Sequence, residues 1–144
     1  MIDIEPKIVD TIYNAVKAQN AYPDADVTTG FDLQTATFPC VVVSEIDNAP
    51  VRKTDTDDCA ENYTRLIYQV DVYTDSENKA KTEGKAILGI VDSALQGLKF
   101  RRMRKNEPLN INRTIFRQYA RWEVIVGKPI TIGNNTVYQF YRRT

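Results

Sequence analysis

From Asn62 to Thr74 the side chains alternate with a period of two. Leu66, Tyr68, Val70 and Val72 fall on one side, and Arg65, Gln69 and Asp71 on the other, together with Ile67. Successive strand residues point to opposite faces, so this pattern predicts a long strand with one buried face. Such a strand requires neighbours in a sheet and an apolar layer over its buried side.

The rest of the chain supplies both. Ile8, Ile12, Ala15, Val16 and Gln19 recur at helical spacing after Pro6, with Glu5 at the positive helix end, and Tyr22-Pro23 stops the pattern. A short strand is expected around Val27–Thr29. Pro39 introduces the β-branched run Cys40–Ile46, which ends at Asp47-Asn48-Ala49-Pro50. Ala80, Gly84, Ile87, Leu88, Val91, Leu95 and Leu98 form one stripe of a second helix, with Asp75 or Ser76 as its cap and Gly97 near its close. Phe100–Met103 reads as a short strand. A long one runs from about Ile111 to Val126, with Phe116, Ala120, Trp122, Val124 and Val126 on one face. Ile130-Thr131-Ile132 and Thr136–Tyr141 flank Gly133-Asn134-Asn135, a hairpin signal.

The expected fold is therefore α+β: a small antiparallel or mixed β-sheet flanked by two α-helices, with a C-terminal β-hairpin arm. Residues 1–127 form the core domain, and residues 128–144, set off by Gly127 and Pro129, form the arm. A chain of 144 residues with a 42% hydrophobic share suits one domain with its own core. No segment reaches the roughly 18 apolar residues of a membrane helix, and Met1-Ile-Asp-Ile-Glu-Pro6 has no basic and apolar leader, so use in a cytoplasm is expected.

Histidine is absent, which excludes His-based triads, Cys–His dyads and His-ligated zinc. Cys40 and Cys59 alone cannot complete a structural zinc site and read as two thiols. Asp55, Asp57 and Asp58 lack the central Gly and distal Glu of a calcium loop. They belong to a polar stretch over 51–61 that reads as an exposed loop. Gly84-Lys85-Ala86 lies inside a helical pattern and lacks the Ser/Thr of a phosphate loop. No catalytic residue, cofactor site or metal site is expected, and an enzyme is not.

Charge is lopsided although the net is zero. Residues 1–98 hold 8 Lys/Arg and 17 Asp/Glu, a balance of −9, and residues 99–144 hold 11 Lys/Arg and 2 Asp/Glu, a balance of +9. Lys99, Arg101, Arg102, Arg104, Lys105, Arg113, Arg117 and Arg121 crowd the junction, with Arg113, Arg117 and Arg121 on one strand face. Three readings stand: a solvated basic face, a subunit interface that meets the acidic part of a neighbour, or a nucleic-acid surface. In the tail, Val137, Tyr138, Phe140 and Tyr141 either fold onto the chain's own sheet or form an arm that reaches a neighbour.

The organisation resembles the tail-terminator, or tail-completion and neck, proteins of tailed bacteriophages. The resemblance covers most of residues 4–126. It rests on an N-terminal helix, FPCVVVSEID at Phe38–Asp47, NYTRLIYQVDVYTDS at Asn62–Ser76, KAKTEGKAILGIVDSAL at Lys79–Leu95 and YARWEVIV at Tyr119–Val126. The hairpin after Gly127 lies outside the shared pattern. The resemblance implies a structural virion protein, assembled in the host bacterial cytoplasm into a ring, commonly a homohexamer. That ring caps the tail tube and joins the tail tube protein to the head-tail connector protein. DNA passes through its lumen without specific recognition, and there is no cofactor and no membrane partner. On this view Arg101, Arg102, Arg113, Arg117 and Arg121, the acids Asp55, Asp57 and Asp58, and the tail side chains Val137, Tyr138, Phe140 and Tyr141 are candidate subunit contacts. The alternative is a nucleic-acid-binding module that uses the basic 99–121 cluster.

Overall fold

A computed structural model describes residues 3–18, 25–30, 38–51, 63–75, 80–106, 115–127 and 129–141. Helix α1 (Glu5–Ala18) leads to strands β1 (Asp26–Thr28), β2 (Cys40–Pro50) and β3 (Tyr63–Thr74), then helix α2 (Ala80–Gly97). Strands β4 (Arg101–Asn106), β5 (Phe116–Gly127), β6 (Ile130–Ile132), β7 (Asn135–Val137) and β8 (Phe140–Tyr141) complete the chain. The main sheet runs β1-β2-β3-β5-β4, with β8 also paired to β5, and β6 and β7 form a separate two-stranded sheet. Among the described strands only β1 and β2 pair in parallel; the other pairs are antiparallel. This is the α+β class expected from the alternating and helical patterns.

The two helices lie on one face of the sheet. Ile8, Ile12 and Val16 of α1 and Ile87, Leu88, Val91 and Leu95 of α2 join Val41, Val43, Leu66, Tyr68, Val70, Val72, Ala120, Trp122, Val124 and Val126 in one core. These sheet residues are the ones a period of two assigns to a single face, which is why one layer of helices buries them all. Trp122 keeps its indole N–H satisfied by donating to Asp92 Oδ1 at 2.8 Å. At Gly84 the helix comes so close to the sheet that a Cβ would lie 3.1 Å from Gln118 Nε2.

Some boundaries differ from expectation. Strand β2 runs on to Pro50, past the polar Asp47-Asn48-Ala49. Strand β1 covers only Cys40–Val42, so from Val43 onward the outer side of β2 has no described partner. A proline that lacks an N–H is tolerated on such an edge. Gly97 does not supply the left-handed residue that closes α2. That residue is Lys99, with φ 67°. Phe100 N–H donates to Leu95 O at 3.0 Å and Lys99 N–H to Gln96 O at 2.9 Å, and Phe100 packs in the core beside Leu95. The Ser76 cap and the strand start near Ile111 lie outside the described residues.

Candidate functional site

The face of the sheet away from the helices carries Arg65, Gln69, Asp71, Arg117, Tyr119, Arg121 and Glu123. Alternation in β3 and β5 places them there, and the antiparallel register puts Gln69 opposite Arg121 and Asp71 opposite Tyr119. Arg117 donates to Asp71 Oδ1 from Nε at 2.9 Å, and its second nitrogen lies 2.8 Å from the same oxygen. Gln69 donates to Asp71 Oδ2 at 3.0 Å and accepts from Arg121 Nε at 2.8 Å. Arg65 bridges Glu123 at 3.0 Å and Asp47 at 2.7 Å. The Tyr119 ring sits between two guanidinium groups, 5.6 Å from Arg117 and 5.9 Å from Arg121.

These contacts answer part of the charge puzzle. Gln69, Asp71 and Glu123 are buried, although neither described helix covers this face. Buried charges persist when they are paired and hydrogen-bonded. Burial lowers the Arg117 pKa, but the hydrogen bond and charge of Asp71 outweigh it, and the net direction is upward. The Tyr73 hydroxyl is held above its ordinary value by burial and by Asp71. The basic strand β5 thus meets acids of the N-terminal part within the same molecule. Arg117 and Arg121 are committed to this network.

Arg101, Arg102, Arg104 and Lys105 of the cluster lie at the sheet edge on β4, and Lys99 closes α2. Every residue of β4 is exposed, Arg101 and Arg102 among them. Arg101 faces Glu123 in register, and Arg102 sits 3.4 Å from Asp92 on the helix side. Arg101, Arg104 and Lys105 have no ion partner among the described residues. Arg113 and the acids Asp55, Asp57 and Asp58 lie outside the described residues, as does Cys59. Cys40 is buried beside Val42, Tyr73 and Ile115. Burial, with the nearby charge of Asp26, pushes its thiol up from 9.0 to about 11.

The tail divides in two. Ile130 pairs with Val137 and Ile132 with Asn135, and Gly133 takes φ 62° at the first turn position, where glycine is favoured. Beyond this hairpin the chain returns to the domain. Phe140 pairs with Val126 and Tyr141 with Ile125, Gly127 N–H donates to Gln139 O at 2.8 Å, and Tyr138 and Phe140 pack on the main core. Tyr63 and Tyr141 meet edge to face at 5.7 Å over Gly127, where a Cβ would lie 3.3 Å from the Tyr141 ring. Tyr138 and Phe140 therefore serve the chain's own core, while Val137 and Tyr141 stay exposed. The arm is rooted in the domain rather than set apart from it. Gly127 and Pro129 suggested a break because β8 is only two residues long and its pairing leaves no periodic signal.

Two residues absent from the sequence-based contact set stand out at the hairpin. Ile130 is 44% and Ile132 64% exposed, and both share a face with Val137. Their period of two was visible, but not that no described residue covers them.

No protein-family model matches this chain, and no curated protein matches it by sequence. Among the described residues no helix is long and apolar enough to cross a membrane. No group of three or more His, Cys, Asp or Glu among them is placed to hold a metal ion.

Proposed function

We propose that this chain is a structural subunit that assembles with copies of itself, and that the assembly is the tail-terminator or neck ring of a tailed phage. The ring caps the tail tube and joins it to the head-tail connector, with DNA passing through the lumen. The observation that carries self-assembly is the β6–β7 hairpin. A lone two-stranded hairpin is marginal in water, yet this one holds Ile130, Ile132 and Val137 on one open face. The strand that follows it, β8, pairs with β5 and ties the hairpin to the domain. A partner that covers the apolar face supplies what the described residues lack. The position in the phage neck is supported by the resemblance over residues 4–126 and by the agreement of the fold with what that resemblance implies.

The test is Ile130→Asp with Ile132→Asp, which leaves Tyr138 and Phe140 in their core positions. Light scattering after size exclusion, followed by electron microscopy, should show closed rings for the parent and monomers for the variant. Rings of normal size from the variant would remove the hairpin from the interface.

A second reading, a nucleic-acid-binding module, draws on the exposed Arg101, Arg104 and Lys105 of β4. It predicts a DNA mobility shift that fades steeply with salt and is lost in Arg104→Ala/Lys105→Ala. Absence of a shift at low salt ends it.

A further inference from the structure

The two long edges of the main sheet share an unusual construction. Strand β2 is interrupted by a bulge between Glu45 and Asp47, and strand β4 by one between Arg102 and Arg104. A bulge inserts one residue into a strand and re-aims its side chain. The inserted residues are Ile46 and Met103. They are 46% and 51% exposed, two of the few large apolar side chains that the described chain leaves open. Both outer edges lack a described strand partner here, since β1 pairs only with Cys40–Val42 and β4 ends the sheet.

The flanking charges are opposite. Glu45-Ile46-Asp47 is acid, apolar, acid, and Arg102-Met103-Arg104 is base, apolar, base. Lys105 and Arg101 extend the basic run. Natural edge strands carry charges to repel indiscriminate pairing, and a bulge usually serves the same end. Here the charges of one edge suit the other edge and repel a copy of themselves. β3 and β5 separate β2 from β4, so the two edges face opposite ways and cannot meet within one chain. A contact between unlike edges of two copies is heterologous, the kind that closes a ring.

The Asp47 side chain keeps 39% exposure while it binds Arg65, and Arg102 keeps 51% while it touches Asp92. Glu45 accepts from Tyr68 Oη at 3.0 Å and from Asn48 at 3.3 Å through one oxygen, and the residue is exposed. A carboxylate accepts more bonds than these. Both edges therefore retain capacity for a partner.

We propose that the β4 edge of one copy docks on the β2 edge of a second copy beyond Val42, where β2 has no described strand partner on its outer side, with Met103 against Ile46 and Arg102 and Arg104 flanking Glu45 and Asp47. This rests on the self-assembly reading above and names the contact that would continue the sheet from subunit to subunit. It also gives the charge asymmetry that remains after internal pairing a location.

The experiment uses two full-length variants. One is Met103→Glu/Arg104→Glu; the other is Glu45→Lys/Ile46→Lys. All four positions are exposed, and circular dichroism checks that both variants fold. Each variant alone faces like charge across the contact, so its association should fall at least about 100-fold, a loss near 2.8 kcal/mol. An equimolar mixture pairs Lys with Glu at one contact and parental residues at the next, so rings of alternating subunits should reappear. Either folded variant assembling as well as the parent, or a mixture that stays monomeric, overturns the edge contact and leaves self-assembly standing. A parent that is monomeric at every concentration overturns self-assembly, and the edge contact with it.

Discussion

The pair Asp71–Arg117 decides whether strand β5 is a free basic surface. Asp71 is 5% exposed and takes two donors from Arg117 on one oxygen and Gln69 on the other. Replacing it with Ala leaves Arg117 without its counter-charge and Gln69 without an acceptor. A net hydrogen bond to a charged group contributes about 1.5–3 kcal/mol. The Arg117 side chain is 31% exposed, so solvent takes over part of its role and the lower half of that range applies. Adding about 1 kcal/mol for the Gln69 bond gives a loss near 3 kcal/mol for Asp71→Ala. Arg117→Ala alone strands the buried carboxylate and should cost about as much. The double variant removes both, so the coupling energy of the cycle should be about 2 kcal/mol. The assay is urea unfolding at neutral pH for the parent, both single variants and the double variant. Repeating it in 1 M salt separates a partly buried pair, which keeps most of its coupling, from a surface pair, which loses it. A coupling below about 0.5 kcal/mol would mean that Arg117 is not held by Asp71. The basic cluster would then be open, and the nucleic-acid reading would regain strand β5.

Two further outcomes test local structure. Lys99 takes φ 67° at the close of α2, a conformation that disfavours a Cβ, so Lys99→Gly should raise stability by about 0.5–1 kcal/mol in the same urea assay. The folded chain holds the Cys40 proton more tightly than the unfolded chain does. Its contribution is thus complete below pH 9.0 and lost as pH rises toward about 11. Cys40→Ala should flatten that part of an alkaline stability profile relative to the parent, and an unchanged slope would place the titration elsewhere.

How much was legible followed from the range of each signal. Alternation in residues 62–74 and the stripes of both helices are local, and they placed the core face of β3, β5, α1 and α2 correctly. The pairing of Arg65 with Glu123 and Asp47, or of Arg117 with Asp71, depends on register between strands far apart in sequence. Register is set by packing and turns, and no residue of β5 advertises which residue of β3 it will oppose. The same gap explains why a +9 segment looked more exposed than it is. Strand β2 was read as too short because Asp47, Asn48 and Pro50 are poor strand residues, and only its position at an edge makes them tolerable. The bulges at Ile46 and Met103 break the period that would have revealed them.

Internal neutralisation and external complementarity place different demands on the same charges, and the fold separates them by location. Acids and arginines on the open sheet face sit within hydrogen-bond reach, where their pairing is little affected by salt. Those on the β2 and β4 edges stay more exposed even where they are paired, as Asp47 is with Arg65 and Arg102 with Asp92, and any contact they make with a second copy is exposed to screening. Self-assembly through the edges should therefore weaken between low and physiological ionic strength, while the stability of each subunit changes little. The apolar hairpin acts the other way, because burial of Ile130, Ile132 and Val137 does not depend on salt in this range. Rings that dissociate with salt into folded monomers would point to the edges as the dominant contact. Rings that persist would point to the hairpin, with the edges setting orientation rather than strength.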